Sequence, residues 1–94
     1  MKGNYRPAGA TQTITSAGTS AATSNGVGAQ VSDVLITATQ NVYLSFGLAP
    51  TATAANGVFL LKDWPTYFAI HGGEKVAALQ VSSGGGVYVS ELTR

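Results

Sequence analysis

Cysteine is absent from the 94-residue chain, which excludes a disulfide framework, a thiolate nucleophile and a thiolate metal site. Small secreted domains usually rely on such staples. Another source of stability is therefore expected, and oligomerisation is a standard one. Charge is scarce as well. Lys, Arg, Asp and Glu make up 10% of the residues, against roughly a quarter in a typical globular domain. The five basic residues are scattered and form no patch, which argues against a nucleic-acid partner. No apolar run approaches the length of a membrane span, and no apolar stretch follows Lys2 in "MKGNYRPAGA". Neither a membrane segment nor a signal peptide is expected.

What replaces charge is Thr, Ser, Ala and Gly, with twelve glycines, while apolar residues hold at an ordinary 45%. Such a chain has too many strand formers to be disordered. With a net charge of +1 it gains little from self-repulsion, and low net charge favours association. Helical periodicity is missing: no segment combines a cap, a long 3.6-residue apolar stripe and a Gly stop. Period two is present instead. Thr11, Thr13 and Thr15 alternate with Gln12, Ile14 and Ser16. "AQVSDVLITAT" reads as a strand, "TQN" as a turn and "VYLSFG" as its hairpin partner, with Val42, Leu44 and Phe46 on one face. "VFLLK" after Asn56-Gly57 is a further strand. "WPTYFAIH" is another, confined by Pro65 to an edge or to its own beginning. Gly72-Gly73 suggests a tight hairpin into "EKVAALQVS", and "SSGGG" a turn into "VYVSEL". Short strands at close intervals predict an all-β fold, a small antiparallel β-sandwich or barrel, over residues 29–94.

Residues 1–28 differ: they hold no acidic residue and few large apolar side chains. The expectation is an extended N-terminal arm that docks through Tyr5, Pro7 and Ile14 on an adjacent subunit or on a larger assembly that the chain joins, by strand addition or in side-chain pockets. Deleting residues 1–20 should then leave the β domain folded. A second oddity is "LAPTATAAN", Leu48 to Asn56, a long loop without a single charge. Burial between subunits would explain it, because a charge there would be costly to desolvate. Leu48, Ala52 and Ala54 are accordingly candidate interface residues, together with Trp64.

Groups capable of chemistry are few. His71 is the sole histidine, before Gly72-Gly73, with Glu74 the one local acid; a metal would need further ligands. Asp33, Asp63, Glu74 and Glu91 could in principle supply a carboxylate pair, but their spacing does not make them converge. "SSGGGV" lacks the lysine and following helix of a phosphate loop. No catalytic, cofactor or metal residue is expected, and the chain reads as a non-enzyme. Trp64, Tyr67, Tyr43 and Tyr88 are expected to fill the core or its rim. If they cluster outside, sparse surrounding charge favours a protein interface over a sugar platform.

Three stretches, "NVYLSFGLAPTATAANGVFLL", "TYFAIHGGEKVAALQ" and "GGGVYVSEL", together resemble small virion proteins of tailed bacteriophages. The shared pattern is a strand ending in Phe-Gly, a Thr-Ala loop, a short apolar strand, an aromatic-apolar strand, a glycine turn, and a final "VxVxEL" strand. It covers Asp33 to Leu92 and leaves the N-terminal arm unmatched. The resemblance implies a capsid decoration or cement protein. Such a protein would be a homotrimer on the outer capsid surface of the virion, bridging major capsid proteins and carrying no cofactor. The alternative is a tail, head-tail adaptor or fibre-tip component that binds receptor or glycan.

Overall fold

The alternating stretches form nine strands and no helix in the computed structural model, which describes residues 6–7 and 11–93. They are β1 (Arg6–Pro7), β2 (Gln12–Thr15), β3 (Ala21–Ala22), β4 (Asp33–Ala38), β5 (Val42–Gly47), β6 (Val58–Leu60), β7 (Thr66–Ala69), β8 (Lys75–Gln80) and β9 (Gly86–Thr93). Two antiparallel sheets result. The first has the order β2-β9-β4-β7, with β1 pairing further along β9 beside β2; the second has the order β3-β8-β5-β6.

The pairing pattern has a simple description. β2 pairs with β9, β3 with β8, β4 with β7 and β5 with β6. The chain is thus a long folded ribbon, first strand against last, wrapped so that β4 also meets β9 and β5 also meets β8. That arrangement of eight strands in two sheets is a jelly roll.

This topology corrects three expected hairpins. β4 and β5 do not pair with each other but lie in opposite sheets, as do β7 and β8, and β8 and β9. The reason is burial. Val34, Ile36 and Ala38 on β4, and Val42 and Leu44 on β5, have no exposed surface. A hairpin would set both apolar faces side by side on one sheet, whereas crossing between sheets at "TQN" turns them toward each other. β5 and β6 alone form a sequential hairpin, closed by the uncharged loop. Pro65 directly precedes β7, at the strand's beginning, and β7 is also an edge strand, so both positions open to the proline are met.

The core is built from small branched side chains. Val34 and Ile36 of β4 and Val87 and Val89 of β9 face Val42 and Leu44 of β5 and Val76 and Ala78 of β8. Phe46 of β5 and Phe68 of β7 meet edge to face across the sandwich, 5.1 Å between centroids. Among the described residues, no buried side-chain nitrogen or oxygen lacks a hydrogen-bond partner.

The N-terminal segment is part of this construction from residue 11 onward. Ile14 is 3% exposed and belongs to the core, as does Val27. β2 adds an edge to the first sheet through β9, and β3 then adds an edge to the second through β8. Beyond β3 the chain continues along β8: the Thr23 N–H donates to Val76 O, and the Val27 and Glu74 backbones bond at 2.8 Å. At this approach Gly26 lies so close to Gly73 that an added Cβ would sit 2.2 Å from the Gly73 carbonyl oxygen. Only glycine fits there. Ile14 therefore anchors the segment on the chain's own sandwich, not on a neighbour. Tyr5 and the side chain of Pro7 lie outside the described residues; the Pro7 backbone pairs with Leu92.

Two consequences can be measured. Ile14→Ala is expected to lower the free energy of unfolding by about 2–4 kcal/mol, as for other large-to-small core changes, read by urea denaturation. Deleting residues 1–20 is expected to remove cooperative unfolding, because it strips the edge strand from β9. A truncated protein that melts as sharply as the full chain would refute this.

Candidate functional site

β6 and β7 are the open edges of the two sheets on the same side of the sandwich, joined by residues 61–65. Between them lies an apolar concavity of about 350 Å³. Leu60, buried in the core, and Phe68 form its inner part; Val58, Phe59, Leu61 and Trp64 form its outer walls. Trp64 is 66% exposed, and Val58, Phe59 and Leu61 are about half exposed. Thr66 is the one polar side chain in the lining, and its hydroxyl donates to Trp64 O at 3.1 Å. The wall is held firmly. The Lys62 N–H donates to Asn41 Oδ1 at 2.8 Å and the Asp63 N–H to Ala38 O at 2.8 Å. Asp63 takes a left-handed backbone, φ 58°, which Asp tolerates better than most residues. These bonds fasten the β6–β7 connection to the β4–β5 crossing.

The aromatic residues expected at the core or rim divide accordingly. Trp64 is exposed and lines the cleft with Phe59, while Tyr67 and Tyr88 are exposed on the outer face of the first sheet. Tyr43 is half-buried, packing edge to face on Phe59 at 6.1 Å. Of the candidate interface residues, Trp64 joins the cleft, while Leu48 is 74% exposed at the start of the loop. Val58, Phe59, Leu61 and Phe68 were missed. The signal of the first three was the run "VFLL", where a strand with one solvated face should alternate and does not; Phe68 had none.

Ala52 and Ala54 separate. Ala54 is exposed, but Ala52 is 2% exposed within the single chain. Its N–H donates to Ser20 Oγ at 2.9 Å, next to β3. The loop leaves β5 and reaches back to β3, which lies two strands away, so it crosses the outer face of the second sheet. Ala77 of β8 belongs to that outer face by alternation with Val76 and Ala78, and yet it has no exposed surface. The loop also secures itself. Thr53 N–H and hydroxyl both donate to Asn56 Oδ1, and Asn56 N–H donates back to Thr53 Oγ1. Burial of Ala52 is thus intramolecular, not intersubunit as expected. Small uncharged residues suit a segment lying flat on a sheet.

The groups considered for catalysis do not assemble. Glu91 lies on the inward face of β9, where Gly28 N–H and Gln12 Nε2 donate to it at 3.2 and 3.4 Å. Asp33 pairs in register with Leu92, one residue on, and so projects to the opposite face of the sheet. His71 is exposed; its backbone N–H donates to Glu74 Oε1, and Glu74 N–H returns to His71 O. That is a turn, not a catalytic pair. Among the described residues no three His, Asp or Glu side chains gather as a metal site. The triple glycine is explained by close approach: a Cβ on Gly85 would lie 2.4 Å from Thr39 Oγ1, while its N–H donates to Ser16 Oγ.

Compared with known proteins, the chain matches no family model, no curated protein and no solved structure.

The loop geometry makes a prediction that separates its two alanines. Ala52→Glu is expected to destabilise the isolated chain by about 3 kcal/mol, since an unpaired carboxylate would be buried, whereas Ala54→Lys should change stability by less than about 0.5 kcal/mol. Chemical denaturation of the two variants beside the parent protein reads both.

Proposed function

We propose that this chain is a non-enzymatic structural protein of a tailed-phage virion. It decorates the outer capsid surface and stabilises the shell by bridging major capsid proteins. The observation that carries the reading is the apolar, charge-poor cleft between β6 and β7, a binding surface without chemistry in it. An interface centre is expected to be depleted of charge and enriched in aromatic residues, and Phe59 and Trp64 fit that description. The finer assignment to a capsid rests on the resemblance of the strand and loop pattern over Asp33 to Leu92. The jelly roll is compatible with it, being an architecture of viral capsid domains, but lectin domains use it too, and fold alone does not assign function.

A subunit that binds only the assembled lattice stabilises it by mass action, by about 2.7 kcal/mol per site at a hundredfold excess over Kd. Binding of this kind needs no reactive group. It needs a rigid apolar surface, which the pinned β6–β7 connection supplies.

Exposed Trp64 favours the alternative, a fibre-tip or tail component that holds glycan by ring stacking. The lining weighs against it. Sugar hydroxyls need several convergent polar partners, and Thr66 is the single polar side chain there.

Immunogold labelling of intact virions from the source phage tests the proposal. Many labels per head are expected, and heads that lack the protein should release DNA at a lower temperature. Label confined to tails would replace decoration by the tail reading, and absence from purified virions would overturn both.

A further inference from the structure

We infer that the β6–β7 cleft is the seam between copies of this chain, the same patch from each copy meeting around a rotation axis. The inference draws on the same cleft as the virion reading: where copies close over it, the shell is met by the assembled oligomer, and self-association would stand if labelling of virions failed.

Size is the first argument. Val58, Phe59, Leu61 and Trp64 are all between 49% and 66% exposed. Together they present on the order of 400 Å² of largely apolar surface, as large as the main functional patch of a typical monomer. A standard interface takes about 800 Å² from each partner, with an apolar centre inside a polar rim. The patch has the dimensions of such a centre.

Charge is the second. In the chain the patch is interrupted only by Lys62 and Asp63, both exposed and of opposite sign. A rim of one sign would call for a partner of the other sign. A rim carrying one of each is complementary to itself, because rotation can bring Lys62 of one copy to Asp63 of the next. The net charge of +1 adds little repulsion between copies. Rigidity is the third. Asn41 and the Ala38 carbonyl already fix the backbone of Lys62 and Asp63, so little ordering cost remains for association. Finally, β6 and β7 are unpaired sheet edges. Open edges with apolar side chains invite pairing between molecules unless something covers them.

Symmetric contact of one patch with itself has a direct test, because the chain has no cysteine. Leu61→Cys under mild oxidation is expected to give a disulfide-linked pair of chains. Thr13→Cys, exposed on β2 at the opposite edge, is expected to remain single. Light scattering of the full-length protein at micromolar concentration should report a closed oligomer. Leu61→Ser and Trp64→Ser should each weaken it at least tenfold, and Lys62→Glu should weaken it without altering the far-ultraviolet circular dichroism. Both apolar positions are exposed, so an unchanged dichroism spectrum separates lost association from lost folding. A monomeric parent protein would overturn the inference. So would an oligomer that is indifferent to the serine variants and is linked through Thr13→Cys in place of Leu61→Cys; such an oligomer assembles through another face.

Discussion

Burial of two facing layers of small side chains is the constraint on which the rest of this molecule depends. The largest fully buried residues are Ile36, Leu44 and a set of valines, with no aromatic among them. Each fully buried Val, Leu or Ile contributes about 1.5–3 kcal/mol of transfer free energy, offset by the conformational entropy of every ordered residue. A thin layer of this kind leaves no margin for an unclosed flank. The chain crosses between sheets at one lateral edge with its N-terminal segment, and there Ile14 and Val27 complete the core. At the other edge it crosses with residues 61–65, and there Leu60 and Phe68 remain under an open cleft.

The scarcity of charge follows in part from the same construction. Within the segment from Leu48 to Asn56, Ala52 is covered and its N–H donates to Ser20 Oγ. Burial on its own sheet excludes charge at Ala52, where a carboxylate or ammonium would have to be desolvated, while the exposed loop residues carry no such constraint. The outer face of the first sheet is different. Thr13, Tyr88 and Thr37 lie side by side across three strands, and Ser90, Leu35 and Tyr67 across another three. Hydroxyls keep most of that face hydrated without charge. Exposed apolar side chains are concentrated instead along β6 and its connection to β7.

Strand positions and faces were legible in the sequence because side-chain alternation depends only on neighbouring residues. The inward set of Val42 and Leu44, the face shared by Val87, Val89 and Glu91, and the strand start that Pro65 marks all follow from period two and from proline's missing N–H. Pairing partners were not legible. A short polar connection such as "TQN" or "HGG" can close a hairpin or carry the chain to a facing sheet, and nothing within five residues distinguishes the two. The strongest contact of the N-terminal segment, β2 on β9, joins Ile14 to Val87, and no local pattern marks a partner so far along the chain. Ile14 therefore looked like an isolated apolar residue in a polar arm. The cleft was half legible: Trp64 stood out alone, while "VFLL" passed as an ordinary strand although it lacks the polar alternates that a solvated edge requires.

The thin core and the open cleft are connected. Phe68 packs on Phe46 across the sandwich and also lines the cleft, so whatever covers the cleft removes water from the side of the core itself. Apolar surface buried there adds to the stability of the sandwich as well as to binding, because both draw on the same contacts. A ligand of the folded state alone shifts folding by its binding free energy; here the coupling is also structural, through Leu60 and Phe68. A chain with no disulfide and no core aromatic fully enclosed would in this way gain stability from the self-association inferred above. Closing the exposed edge with charge would have made the single molecule more soluble and forfeited that gain. The apolar edge between β6 and β7 is consistent with a fold completed by what it binds.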